Sequence, residues 1–124
     1  MVARKGDSVQ DLATMTTTRT NAVAVARVTG EVDTSNAEKL FAASVDLLAA
    51  GEDVLVIDLT ACQYLDSAGI REVLMLNKAL AERRQRLVLV LEVTGSVHRV
   101  LSIVGALDHV PWYRTLDDAL AAHT

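Results

Sequence analysis

The sequence predicts one α/β domain in which helices alternate with the strands of a small, mostly parallel sheet. A chain of 124 residues, 51% of them apolar, can bury the core of one compact domain. Apolar runs at residues 54–59, interrupted only by Asp58, and at residues 87–93 are typical of strands buried on both faces. Segments with apolar residues at helical spacing separate these runs, and this alternation favours parallel strands joined by right-handed crossovers.

The N-terminal part is expected to form a flexible tail followed by an edge hairpin. Residues 1–14 mix charge, Gly, Ser and Gln without periodicity and are predicted to be the tail. From Met15 the sequence becomes rich in Thr and Val, with a polar break at residues 20–21 before Val23 and Val25. The folded domain is therefore expected to span residues 15–124.

A first helix is predicted after the hairpin, with Thr34 or Ser35 capping its start and Gly51 ending it. A second helix is predicted over residues 67–84, since its apolar residues share one face and arginines follow at its negative end. The helical positions of these two segments are Ala37, Leu40, Phe41, Ser44 and Leu48, and then Ile70, Val73, Leu74 and Leu80.

The C-terminal part repeats the alternation. Val97, Val100, Leu101 and Val104 predict a third helix that Gly105 ends. Residues 110–113 are predicted to form a short last strand, with Pro111 at the sheet edge, and Leu116, Ala119 and Leu120 to mark a closing helix. Trp112 and Tyr113 are interpreted as packing residues of that strand.

The composition argues against several classes of protein. The net charge of −4 and the scattered basic residues give no broad surface for DNA or RNA. Cys62 is the one cysteine, which excludes an internal disulfide and fits a reducing cytosol. No apolar run is long enough to cross a bilayer, and the N-terminus lacks a signal peptide. We expect a cytoplasmic protein without a membrane or nucleic-acid partner.

Functional loops of open α/β sheets lie at the carboxyl ends of the strands, which here selects residues 30–33, 60–67 and 94–96. Asp66 and Ser67 stand where the second helix begins, near the positive end of its dipole. Asp and Ser at such a position are ordinarily capping residues. Gly69 in the first turn costs about 1 kcal/mol relative to Ala, and no Glu or Gln completes a capping box. We interpret Gly69 as giving a partner close access to the Ser67 hydroxyl.

These segments resemble a STAS domain of the anti-sigma factor antagonist, or anti-anti-sigma, family. The resemblance runs from about residue 16 to the C-terminus. It rests on Gly-Glu-Val-Asp at residues 30–33, on the strand at 54–59 leading to Leu-Asp-Ser-Ala-Gly-Ile at 65–70, and on residues 100–101 and 105–108. The segment 91–96 departs from the family's Asn- and Pro-containing turn.

The resemblance implies that the chain is not an enzyme, needs no cofactor and acts by partner switching. The unphosphorylated form would bind an anti-sigma factor serine kinase and free a sigma factor. The kinase would phosphorylate Ser67, and a serine phosphatase would reverse this. The implied contact residues are Glu31, Asp33, Asp66, Ser67, Ala68, Gly69 and Ile70. A phosphate adds about −1.5 to −2 charges at a helix end that tolerates anions, so we expect it to act at the interface and not by unfolding.

Other functions are compatible with parts of the sequence. Within the same fold, the domain could serve as a STAS scaffold or regulatory module in a stress-signalling or transporter-associated complex. A two-component receiver would use Asp58 as phosphoacceptor, but no lysine closes the last strand. A hydrolase would pair Ser67 with His98, yet the Gly-x-Ser-x-Gly elbow is missing.

The remaining reactive side chains are interpreted as structural. His98, His109 and His123 lack the spacing of metal ligands, and the sequence contains no Gly-rich phosphate loop. Cys62 is interpreted as a small buried residue, with a minor role as a redox sensor left open.

Overall fold

The computed structural model describes residues 12–48 and 52–123, which form a five-stranded sheet with helices on both faces. The strands follow the order β1-β2-β3-β4-β5, with β1 antiparallel to β2 and the other neighbours parallel. The predicted fold class is confirmed. The elements are β1 (Ala13–Thr20), β2 (Val23–Val32), α1 (Ala37–Val45), β3 (Val54–Leu65), α2 (Ser67–Glu82), β4 (Arg86–Val90), α3 (Ser96–Ile103), β5 (Trp112–Tyr113) and α4 (Leu116–His123).

The predicted hairpin joins β1 to β2 through Asn21 and Ala22, with Thr20 opposite Val23. Asn21 has a φ of 55°, a left-handed conformation that asparagine tolerates better than most residues. Strand β1 begins at Ala13, so the last two residues of the tail predicted over residues 1–14 belong to the sheet. Residues 1–11 of that tail lie outside the described residues.

The two faces of the sheet carry two separate cores, because successive side chains of a strand point in opposite directions. Leu55 and Ile57 of β3 pack with helices α1, α2 and α3 in the larger core. Val56 lies on the other face, where α4 covers the sheet with Ala119. Helix α4 is therefore separated from the other three helices by the sheet.

Helix α1 begins after Asn36, so the expectation that Thr34 or Ser35 caps it is wrong. The Asn36 side chain accepts a hydrogen bond from the Asp33 backbone N–H at 2.9 Å and donates to the Glu31 carbonyl at 3.0 Å. It thus ties the loop after β2 together. The helix ends at Val45, before buried Leu48, and Gly51, its predicted end, lies outside the described residues.

Strand β3 continues to Leu65, so residues 60–65 of the predicted loop at 60–67 are strand, and that part of the prediction is wrong. Opposite the step from Arg27 to Thr29 in β2, β3 advances from Asp58 to Ala61, which inserts one extra residue. The Asp58 carboxylate holds this bulge, since its Oδ1 accepts hydrogen bonds from the Thr60 N–H at 2.9 Å and the Thr60 hydroxyl at 2.7 Å. A second irregularity follows where β2 steps from Gly30 to Glu31.

The later elements agree with the sequence apart from their ends. Helix α2 stops at Glu82, and Arg84 then has a φ of 60°. Strand β4 ends at Val90, three residues early, and β5 is two residues long. Trp112 packs edge-on against His98, with 4.7 Å between ring centroids, which confirms its structural interpretation. Within the described ranges, no helix has the length and apolar character needed to cross a membrane.

Candidate functional site

The site lies where β2 and β3 end and α2 begins. The Asp66 N–H donates to the Val32 carbonyl at 3.1 Å, which holds the loop after β2 beside the start of α2. The Ser96 hydroxyl donates to the Gln63 carbonyl at 2.9 Å and brings the loop after β4 to the same edge. The three segments selected from the sequence therefore lie at one edge, although parts of the first two are strand.

Gly30 is needed where β2 approaches its end. Its φ is +106°, a left-handed conformation, and a Cβ there would lie 2.2 Å from the Leu12 carbonyl oxygen. The following N–H, of Glu31, donates to that same oxygen at 2.8 Å. The glycine therefore lets Glu31 and Asp33 reach the edge of the sheet.

Asp66 is the N-cap of α2. Its Oδ1 accepts a hydrogen bond from the Gly69 N–H at 3.1 Å, and its Oδ2 lies 3.5 Å from the Thr34 hydroxyl. The capping explanation is thus correct for Asp66. Its carboxylate caps the helix by itself, without the Glu or Gln of a capping box. Asp66 also links α2 to the loop that carries Asp33.

Ser67 is the first residue of α2, and its side chain is exposed. Among the described residues, none is hydrogen-bonded to its hydroxyl. Ser96 provides a contrast, because it is the first residue of α3 but its hydroxyl is engaged by Gln63. Ser67 therefore presents a free hydroxyl beside the unsatisfied N–H groups of a helix N-terminus.

Gly69 does not open access to Ser67, and that interpretation is wrong. It is buried, and a Cβ there would lie 2.3 Å from Cδ1 of Leu65 and 3.1 Å from Cγ1 of Val32. The missing side chain lets the first turn of α2 pack against the ends of β2 and β3. Of its neighbours, Ala68 and Ile70 are half-buried.

Asp33 closes a tight turn before α1. Its Oδ1 accepts hydrogen bonds from the Ser35 hydroxyl at 2.5 Å and the Ser35 N–H at 2.9 Å. The bond from the hydroxyl, and then that from the backbone, lower the pKa of Asp33 below its usual value. Asp33 is therefore a carboxylate at neutral pH, and Glu31, two residues earlier, is an exposed acidic residue.

Cys62 lies beneath the site as a buried thiol that donates to the Tyr64 carbonyl at 3.3 Å. Burial raises the pKa of this thiol, so it stays protonated at neutral pH. The interpretation of Cys62 as a small buried residue is confirmed.

Asp58 and the histidines do not support the alternative chemistries. Asp58 is 2% exposed in the middle of β3 and is engaged by Thr60, which leaves no access for a phosphate donor. The ring of His98 packs on Trp112. The described ranges contain no group of three His, Cys, Asp or Glu residues placed to hold a metal ion.

Comparison with known proteins identifies the family of this arrangement. The family model for the STAS domain matches residues 14–119. The chain belongs to the STAS domain family. Its relative BtrV of Bordetella bronchiseptica, whose name describes an anti-sigma factor antagonist, is 33% identical over 108 residues, which cover 87% of this chain and 92% of BtrV. The anti-sigma factor antagonists that the chain resembles are regulatory proteins and not enzymes.

Solved structures agree with this assignment. An anti-sigma factor antagonist from Mycobacterium paratuberculosis superposes with a TM-score of 0.78 at 30% identity, covering 89% of this chain and 92% of that one. Unphosphorylated SpoIIAA shares the fold at a TM-score of 0.71 and 20% identity, covering 88% and 95% of the two chains. SpoIIAA of Bacillus has also been solved in a phosphorylated form, with a TM-score of 0.67 at 18% identity and coverage of 90% and 100%.

The STAS domain surface next to Ser67 contains residues that the sequence did not single out. Arg71, Met75 and Val104 border the same groove as Ser67. Val104 was expected on the buried face of the third helix, but it follows α3 and is 51% exposed. Val104 directly precedes Gly105, the predicted helix end, and this position next to a glycine is the signal that could have marked it as exposed.

Proposed function

We propose that the chain is an anti-sigma factor antagonist whose binding is switched by phosphorylation of Ser67. The unphosphorylated form binds an anti-sigma factor serine kinase and thereby frees a sigma factor. The kinase ends this state by phosphorylating Ser67, and a serine phosphatase restores it. The observation that carries the proposal is the exposed Ser67 hydroxyl at the first position of α2, which no described residue engages.

The surroundings of Ser67 fit a phosphoacceptor. The N–H groups of Ser67 and Ala68 lie in the first turn, where an α-helix has no carbonyl partners, and the helix dipole favours a negative charge there. A phosphate can therefore be carried without loss of the helix. The fold itself is compatible with a phosphorylated state, since SpoIIAA has been solved in that form.

The effect of the phosphate is exerted at the contact surface. Asp66 directly precedes Ser67, and its N–H and carboxylate contact Val32 and Thr34 in the segment that carries Glu31 and Asp33. A phosphate adds about −1.5 to −2 charges to this acidic region. Bulk and repulsion of acidic partner groups then weaken binding of the anti-sigma factor. Together with the half-buried Ala68 and Ile70, these residues form the proposed partner surface, and Gly69 supports it from below.

The test is incubation with ATP and, in turn, each anti-sigma factor serine kinase of the source organism, followed by intact-mass measurement. The wild type should gain one phosphate and Ser67→Ala none. Ser96→Ala is the matched control, because Ser96 also begins a helix but its hydroxyl is engaged, and this variant should still be phosphorylated. A phosphate on Ser67→Ala would contradict the site assignment.

Binding to the kinase provides the second measurement. Ser67→Asp should bind more weakly than the wild type, while Ser67→Ala should stay bound in the presence of ATP. Far-UV circular dichroism of Ser67→Asp should match that of the wild type, since the change acts on the surface. Equal affinity of Ser67→Asp and wild type would count against the switch.

A further inference from the structure

Exposed apolar side chains are concentrated next to Ser67, on the side of α2 that faces α3. Tyr64, Met75, Ile103 and Val104 are each more than half exposed, at 52%, 56%, 76% and 51%. Single exposed apolar residues are ordinary, but a contiguous group of large ones is typical of an interaction surface. The question is what covers this group.

A groove runs along α2 from Ser67, with Val104 as its opposite wall. We call it the α2–α3 groove, of about 430 Å³, and its apolar lining comprises Ile70, Leu74, Met75 and Val104. The α2 residues that line it extend from Ser67 to Lys78, which is about 16 Å along the axis at about 1.5 Å per residue. That length fits about three turns of a second helix.

The charges at the groove are all positive. Arg71 and Lys78 line it, and Arg99 lines a neighbouring hollow with Tyr64 and Ile103. Neither lining includes an acidic residue, although the chain as a whole carries −4. Within residues 12–48 and 52–123, Arg71 takes part in no ion pair. The surface is therefore complementary to apolar side chains accompanied by carboxylates.

The other side of α2 differs in charge. The hollow between α1 and α2 shares Arg71 and Met75 with the groove but is also bordered by Glu38 and Glu72. Carboxylates there repel an acidic segment, which is thus directed to the α2–α3 groove.

We infer that the α2–α3 groove binds an amphipathic helix of the anti-sigma factor, with apolar side chains in the groove and acidic side chains against Arg71 and Lys78. This inference rests on the proposed function and adds the chemistry of the partner. A helix laid in an apolar groove buries residues from successive turns, and the groove's length and lining suit that mode. Arg71 is the positioning residue that sets the charge preference.

The same geometry links the groove to phosphorylation. Arg71 follows Ser67 by four positions, so both side chains lie on one face of α2, one turn apart. A phosphate on Ser67 pairs with the guanidinium and reverses the charge at this end of the groove. The acidic helix then loses its pairing with Arg71 and is repelled by the phosphate. Phosphorylation therefore weakens binding.

The experiment measures binding of the anti-sigma factor serine kinase that phosphorylates Ser67, in the absence of ATP. Val104→Glu and Met75→Glu place a carboxylate in the groove and should each weaken binding about tenfold or more. Ala121→Glu on α4, an exposed position on the opposite face of the sheet, is the matched control and should bind within about twofold of wild type. Circular dichroism and thermal melting establish that each variant is folded.

Arg71 is tested by association kinetics at several salt concentrations. Arg71→Gln should lower the association rate and flatten its dependence on salt, and Arg71→Lys should retain most of both. If Arg71 had only a structural role, Arg71→Gln would leave the salt dependence of the association rate unchanged, and Arg71→Lys would not restore the rate.

Two failures are distinguishable. If Val104→Glu and Met75→Glu bind like Ala121→Glu while the wild type is still phosphorylated on Ser67, the groove inference is overturned and the proposed function stands. If no anti-sigma factor serine kinase binds or phosphorylates the wild type, the proposed function fails and the inference fails with it.

Discussion

Leu65 occupies the space that a side chain at Gly69 would require, because a Cβ on Gly69 would lie 2.3 Å from Cδ1 of Leu65. Leu65 is itself only 4% exposed and cannot move freely. The contact fixes the angle at which α2 leaves the end of β3. The position of Ser67 on the surface thus depends on a glycine two residues further along the chain.

Gly69→Ala should lower the free energy of unfolding by roughly 1 kcal/mol. Overpacking costs about 1–3 kcal/mol, which exceeds the gain of about 1 kcal/mol from replacing a helical glycine. Urea denaturation followed by circular dichroism measures the change. Ala79→Gly, at an exposed position of α2, gives the propensity effect alone. Increased stability of Gly69→Ala would show that the Leu65 side chain can move to make room for the added methyl group.

The bulge in β3 should depend on the hydrogen bonds between Asp58 and Thr60. Thr60→Val removes the hydroxyl bond at nearly constant shape and should cost about 1 kcal/mol of unfolding free energy. Asp58→Ala removes both bonds and also the ion pair of Asp58 with Arg27 at 3.9 Å, and should cost about 2–4 kcal/mol. Denaturation and exchange of the Thr60 amide proton measure these effects. A loss below about 0.5 kcal/mol for Asp58→Ala would show that the bulge forms without them.

The carboxyl group of Asp33 should titrate below its usual range because Ser35 donates two hydrogen bonds to it. NMR titration should show that Ser35→Ala raises the pKa of Asp33 towards about 3.9. Ser102→Ala, an exposed serine on α3, should leave it unchanged.

The sign of the associated pH dependence follows from linkage. A carboxyl group with a lowered folded pKa contributes stability that is fully present above its unfolded value of about 3.9 and is lost as pH falls through the folded pKa. The stability difference between wild type and Ser35→Ala should therefore shrink in acid. If the stability difference between wild type and Ser35→Ala stayed constant as the pH fell below the folded pKa of Asp33, ionised Asp33 would not be the acceptor that stabilises the turn.

Cys62 should react slowly with thiol reagents in the native protein. Burial raises its pKa, so little thiolate forms near neutral pH, and the sulfur is also inaccessible. Reaction with a disulfide reagent should be fast after denaturation. The thiol introduced by Ala121→Cys, at an exposed position of α4, gives the native reference rate. Equal rates at the two positions would point to an accessible Cys62.

The parts of the fold that could be predicted are those determined by apolar periodicity. Leu55 and Ile57 face one core and Val56 the other, and a strand buried on both faces shows this as a continuous apolar run. The stripe of α2 was equally visible, because Val73 and Leu80 recur at helical spacing.

The missed features depend on polar contacts whose partners were not evident from local patterns. Thr60 follows Asp58 by two residues, but only the paired β2 shows that this is a bulge within a strand and not the end of one. Similarly, Ser35 cannot cap α1 because Asp33 already engages its hydroxyl and N–H. Several local hydrogen-bond patterns were possible, and the tertiary arrangement selects one.

The convergence of the three selected segments was predicted correctly by topology, since strand ends and a helix start meet at that edge. The structural roles of the individual residues there were only partly predictable. Asp66 is the cap expected from its position, whereas the role of Gly69 depends on Leu65 and Val32, which reach it only in the folded chain. The groove residue Val104 was missed because helical periodicity alone does not show where a helix ends.

The placement of α4 alone on its face of the sheet has a practical consequence. A fluorophore or an affinity tether attached to the exposed positions of α4 is separated from α2 by the sheet. The domain can thus be immobilised or labelled on the α4 side while Ser67 stays accessible on the other. For the same reason, the domain is suited to being carried on a larger assembly through α4 without covering Ser67.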